Sequence, residues 1–140
     1  MNPLHFDALE GRDPQVREAA LMAALPAVIA QAQRQAPAWA ETLAGVDAVS
    51  IRSRGALAGL PVLRKGELLE RQRAARVAGG DPFGGFSAIG WRARGMLRRA
   101  QRVYQSPGPI YEPEGSAPDY WRLARAMHAA GLRPGDLVHD

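Results

Sequence analysis

The chain has 140 residues, no cysteine and a formal net charge of +4, with 46% apolar and 23% charged residues. Those values fit one compact domain or a piece of a larger one, disfavour a disordered chain, and exclude a disulfide framework, a thiolate zinc site and a cysteine nucleophile. Every basic residue except Lys65 is arginine, whose high pKa carries the isoelectric point to about 10.3 without a large charge excess, so the basicity reads as compositional bias. The three histidines, His5, His128 and His139, are scattered, and no classical metal site is expected from them. No apolar run reaches the roughly 18 to 20 residues that cross a bilayer. Residues 1–11 carry His5, Asp7 and Glu10 where a secretory signal would place basic and then apolar residues, so a cytoplasmic chain with no membrane partner is expected.

The first half reads as short helices. Asp13-Pro14 is an N-cap with proline in the first turn, and Val16, Ala20, Leu21, Ala24 and Leu25 recur at helical spacing. Pro26 is expected to kink that helix or to end it and start another bearing Val28, Ile29 and Ala32. Short helices follow over 38–43, carrying Trp39 and stopped by Gly45, and over 53–60, capped by Ser53 and stopped by Pro61. In the next, over 65–77, Leu68, Leu69 and Ala75 can face a core, while Glu67, Glu70, Arg71 and Arg73 are solvated and pair along the helix. The glycine-rich stretch AGGDPFGG over 78–85 opens a junction.

The last third changes character. Residues 102–105 hold the β-formers Val103 and Tyr104 and run into the turn Ser106-Pro107-Gly108-Pro109. Ser116, with Pro118 and Asp119 behind it, starts what reads as the best helix of the chain, with Tyr120, Leu123, Ala124 and Met127 on its apolar face and Gly131 as its stop. Pro134-Gly135 fits the centre of a type II turn, and Leu137-Val138 opens a buried strand. Strand, loop, helix and strand in that order make the skeleton of a βαβ unit. A parallel sheet needs both faces covered, which these residues do not supply alone, so the chain reads as a fragment.

Several stretches resemble, in order, the N-terminal portion of the phenylacetate–CoA ligase family of adenylate-forming (AMP-binding) enzymes. They are Pro37-Ala38-Trp39; Leu57-Ala58-Gly59-Leu60-Pro61 with Lys65, Glu67 and Leu68; Pro82-Phe83-Gly84; the loop from Ser106 to Pro113; and Gly131-Leu132-Arg133-Pro134-Gly135-Asp136-Leu137-Val138. The resemblance implies an α/β fold: a helical arm over 1–80, a Gly/Arg-rich junction over 81–101, and the opening strand-loop-helix-strand of an incomplete nucleotide-binding domain over 102–140. In that family the loop wraps ATP phosphates with hydroxyls and glycine amides. Ser106, Gly108 and Pro113 match it, whereas Pro107, Pro109 and Ile110 replace hydroxyl residues, Tyr111 replaces a glycine and Glu112 stands where lysine is common. The phosphate-loop-like residues are thus Ser106, Gly108, Tyr111 and Pro113, altered from the family pattern, with no catalytic residue among them.

The resemblance further implies ATP, Mg2+ and coenzyme A for the full-length parent, which would activate an aryl or phenylacetate-like carboxylate as an acyl-adenylate and pass it to CoA. This chain alone is expected to be inactive and to bind none of them tightly. Its expected partner is the remainder of the ligase chain or a second copy in a homo-oligomer; the alternative is a non-catalytic protein-interaction module derived from that fold. The cluster Arg92, Arg94, Arg98, Arg99 and Arg102 near Trp91 and Tyr104 reads as a solvated linker in an arginine-biased chain, so no nucleic-acid partner is expected. His128 reads as a surface or packing residue, Lys65 as a helix-opening structural residue, and Trp39 and Trp121 as core or interface anchors.

Overall fold

Asp13 caps the first helix, α1 (Pro14–Gln35), as expected: its carboxylate accepts the N–H groups of Gln15 at 2.9 Å and Val16 at 3.1 Å, which have no partner inside the helix. These relations come from a computed structural model that describes residues 4–90 and 98–138. Trp91, Arg92, Arg94 and His139 lie outside the described residues.

Pro26 lies inside one continuous helix α1, so of the two outcomes expected of it, the ending of one helix and the start of another does not occur. Both halves of the helix are tied to the same body. Ile29 and Ala32, after the proline, pack with Leu43 and Ile51, while Glu18, before it, is gripped by Arg54 through contacts of 2.6 and 2.7 Å. These contacts carry the helix across a proline that typically costs about 3 kcal/mol. Pro26→Ala is therefore expected to stabilise the chain by about 1–3 kcal/mol in urea denaturation; a destabilised variant would show that the fold uses the proline itself there.

The remaining arm follows the sequence closely. Helix α2 (Pro37–Thr42) carries Trp39, and a 3-10 turn at Ala48–Ser50, capped by Asp47, leads to α3 (Arg54–Ala58), where the Ser53 hydroxyl accepts the Ala56 N–H at 3.1 Å. Helix α4 (Lys65–Val77) completes the arm. Ile29, Leu43 and Ile51 form the buried centre, ringed by Trp39, Val46 and Leu60 among others. Gln33 fastens this core by donating to the carbonyls of Leu43 and Val46 at 3.2 and 2.9 Å.

The glycine-rich stretch after α4 is tightly fixed. The Asp81 carboxylate accepts the N–H groups of Phe83 and Gly85 at 3.2 and 2.9 Å, and the Gly85 carbonyl accepts the Ala38 N–H of α2 at 3.0 Å. Phe83 is thereby held inside, 1% exposed.

Strand β1 (Ile89–Gly90) pairs in parallel with β2 (Arg98–Arg99), and β3 (Arg102–Ser106) pairs antiparallel with β4 (Ile110–Glu114). The expected strand over 102–105 is thus present, but its partner is the next segment of chain, so 102–138 forms a hairpin and a short helix where a βαβ unit was expected. The helix expected from Ser116 is confined to α5 (Ala124–Ala129). Asp119 and Arg122 adopt left-handed backbone (φ 49° and 58°), which no helix continues through, and Asp119 instead accepts the Ala124 N–H at 3.0 Å. Gly131 stops α5 and Pro134-Gly135 forms a type II turn, with the Asp136 N–H on the Arg133 carbonyl at 3.1 Å and Gly135 at φ 96°, both as expected. Leu137 and Val138 do not form a strand among the described residues; they are 99% and 65% exposed. The architecture is mixed helix and sheet, a helical arm against a small antiparallel hairpin. No helix among the described residues is long and apolar enough to cross a membrane.

Candidate functional site

The four loop residues singled out by sequence all fall on the β3–β4 hairpin. Ser106 pairs with Ile110 to close a turn of Pro107, Gly108 and Pro109; Gly108 sits at its exposed tip with φ 136°. Tyr111 and Pro113 lie further down β4, opposite Gln105 and Val103. The structure therefore brings Ser106 and Gly108 together at the tip and places Tyr111 and Pro113 along the strand.

Tyr111 is held by α4. The side-chain carboxamide of Gln72, only 2% exposed, donates to the Tyr111 carbonyl at 3.0 Å and accepts the Tyr111 N–H at 2.9 Å, so the glutamine acts on β4 as one residue of a neighbouring strand would. One turn on, the Arg76 guanidinium lies 4.7 Å from the centre of the Tyr111 ring. Its Nη1 is buried with no hydrogen-bond partner among the described residues, and the guanidinium lies over the ring face. Sequence reasoning missed both residues. The signal for Gln72 was its position, four residues after Leu68 and three after Leu69, which puts it on the apolar stripe of α4.

A second polar cluster fixes the base of the hairpin. Glu114 receives Arg102 at 2.6 Å on one oxygen and the Trp121 indole N–H at 2.8 Å on the other. Trp121 packs edge-on against Tyr104 and Tyr120, with centroids 6.0 and 5.1 Å apart. The indole N–H lowers the Glu114 pKa most, opposed by burial and helped by the Tyr104 hydroxyl and by Arg102. Burial, and then the Glu114 charge, raise the Tyr120 phenol. This cluster explains why 116–123 is not helical: Trp121 is drawn back onto Glu114.

The sign of the pH dependence follows. A carboxyl depressed in the folded state contributes its full stability above its unfolded titration and loses it as the pH falls through the lower folded value. The Trp121 indole proton is expected to keep its hydrogen-bonded NMR shift below the usual glutamate range; its loss at or above that range would contradict the Glu114 contact.

The tip is a poor phosphate cradle. Pro107 and Pro109 have no N–H, and that of Tyr111 is already bonded to Gln72, which leaves the Gly108 N–H and the Ser106 hydroxyl. Helix α5 starts only at Ala124, so no helix N-terminus faces the tip from the next turn. The residues present therefore do not fit the conventional ATP phosphate site of the resembled family. No group of His, Asp or Glu among the described residues is arranged to hold a metal ion. A shallow, open concavity of about 510 Å³ borders Arg99, Ala100, Gln101 and Arg102, but the Arg102 guanidinium is engaged by Glu114.

The other singled-out residues have ordinary surroundings. Lys65 opens α4 and is exposed. His128 on α5 packs edge-on against Phe6 at 6.0 Å, beside the ion pair of Arg125 with Asp7 at 2.8 Å, so the N-terminal turn docks on α5. Trp39 meets Phe86 edge-on at 5.3 Å. No family model matches the chain, and comparisons with curated proteins and with solved structures also give no match.

Proposed function

We propose that the chain is the N-terminal part of a cytoplasmic, ATP-dependent carboxylate–CoA ligase of the phenylacetate–CoA ligase type, and that it serves there as scaffold and not as the reacting centre. The reading is carried by the ordered series of family-like stretches along the chain. Three of them meet in space: Pro82-Phe83-Gly84 sits between α2 and α4, the helix after Leu60-Pro61 supplies Gln72, and Gln72 holds the hairpin that bears the Ser106 turn. ATP, Mg2+ and coenzyme A would be handled by the rest of the ligase, and no chemical step is assigned to this chain. Its partner in this reading is that remainder.

A second reading, the non-catalytic interaction module, is favoured by the prolines at the tip, which remove the donors a phosphate would need. One experiment separates the two. The product of the complete reading frame is supplied with ATP, magnesium, coenzyme A and phenylacetate or benzoate. The ligase reading expects a CoA thioester formed together with an equal amount of AMP, and none from residues 1–140 alone. A complete product that forms neither thioester nor AMP with any aryl or acyl acid would leave the module as the reading.

A further inference from the structure

The two edges of the β3–β4 hairpin are unequal. In an antiparallel pair, alternate residues direct their main-chain groups outward, away from the partner strand. Both main-chain groups of Tyr111 bond to Gln72, so the Gln105–Tyr111 pair faces outward, and so does Val103–Pro113 two residues along. On β4 that edge is closed, because Gln72 satisfies Tyr111 and Pro113 has no N–H. On β3 it is open: Val103 and Gln105 turn their N–H and C=O groups outward, and no partner for them is found among the described residues. Edge strands are usually blunted by lysine or proline, and β3 has neither. Its one charge, Arg102, is neutralised by Glu114.

We propose that β3 is a self-pairing edge: it docks antiparallel on β3 of a second copy of this chain, about a two-fold axis at Tyr104, to give a continuous four-stranded sheet. The register identifies the occupant. With Tyr104 opposite its twin, Val103 of each copy faces Gln105 of the other, so the open donors and acceptors meet one another in hydrogen-bonded pairs. Arg102 then faces Ser106, and no like charges oppose each other. Centring the axis on Gln105 would instead set Val103 against Pro107, which has no N–H to give. The side chains agree with the backbone. Tyr104 and Trp121 are 46% and 42% exposed at this edge, and the pair would continue across the axis onto the same two rings of the second copy. This inference is independent of the ligase reading.

The chain has no cysteine, so a single introduced thiol reports its own neighbour. Opposed residues whose main chains do not bond to each other lie about 4.5 Å apart at Cα, within disulfide reach. Tyr104→Cys is therefore expected to cross-link into a covalent dimer under mild oxidation, while Gln105→Cys, displaced from the axis, is not. Sedimentation of the unaltered chain is expected to show a concentration-dependent rise from 15.1 kDa toward twice that mass. Gln105→Pro removes an N–H that the hairpin does not use and is expected to weaken the dimer about tenfold or more. A chain that stays monomeric to millimolar concentration overturns the proposal. So does a dimer unaffected by Gln105→Pro in a variant that keeps its circular dichroism, or equal cross-linking at positions 104 and 105. Should Gln105→Pro fail to fold, the comparison of the two cysteine variants decides alone.

Discussion

Replacing Gln72 by leucine is expected to cost about 3 kcal/mol of stability, a large share of what a domain of this size has. Leucine fills much of the same volume but offers nothing to Tyr111, whose N–H and C=O now bond to Gln72 at 2.9 and 3.0 Å. Both groups would be left under α4 without partners, at about 1–3 kcal/mol each. Guanidinium denaturation measures the loss; wild-type stability in Gln72→Leu would mean that the carboxamide does not hold the strand. Gln72→Glu refines the test. A charged carboxylate can still accept the Tyr111 N–H, but it sets an anion against the Tyr111 carbonyl, whereas a protonated one restores the donor. The folded state would hold this carboxyl above its ordinary pKa, so the deficit of the variant relative to wild type is expected to be smallest at acid pH and to grow as the pH rises through the folded value.

Gly85→Ala is expected to cost about 2–3 kcal/mol. Gly85 sits at φ 76°, and a Cβ there would lie 3.2 Å from both the backbone N and the Cβ of Ala38. Both Ala38 atoms move only with the main chain of α2, and the Gly85 carbonyl accepts the Ala38 N–H at 3.0 Å across the same gap, so α2 must retreat and stretch the bond. Gly79 provides the comparison: its φ is 69°, but nothing lies within 4 Å of a built Cβ. Gly79→Ala should carry only the backbone penalty, about 1 kcal/mol. Equal losses in the two variants would show that the approach of α2 is not what constrains Gly85.

The parts of the fold set by local chemistry were legible from residues alone. Asp13 and Ser53 cap the helices expected of them, Gly131 and Pro134-Gly135 end and turn the chain where glycine and proline must, and α4 runs over 65–77 as its periodicity implies. What was not legible depends on distant partners. Pro26 stays within α1 because Arg54, thirty-six residues after Glu18, and the Ile29 core tie residues on both sides of it to the same body. The helix expected from Ser116 gives way because Glu114 captures Trp121, a contact that no local propensity encodes. The loop from Ser106 had the right residues for a turn, but β4 pairs back on β3 and is fastened on its other edge by Gln72, thirty-nine residues before Tyr111. A polar residue on an apolar stripe was the one sequence sign of that contact.

Amide exchange at Tyr111 tests most directly whether α4 completes the hairpin and makes the arm and the candidate site one unit. Tyr111 turns its N–H away from β3, so in an isolated hairpin it would exchange as fast as the Gly108 amide at the tip. With Gln72 in place, its protection is expected to match that of Glu112, which pairs with Tyr104 inside the ladder. Tyr111 exchange at the rate of Gly108 would contradict the clamp, and with it the coupling of the helical arm to the hairpin.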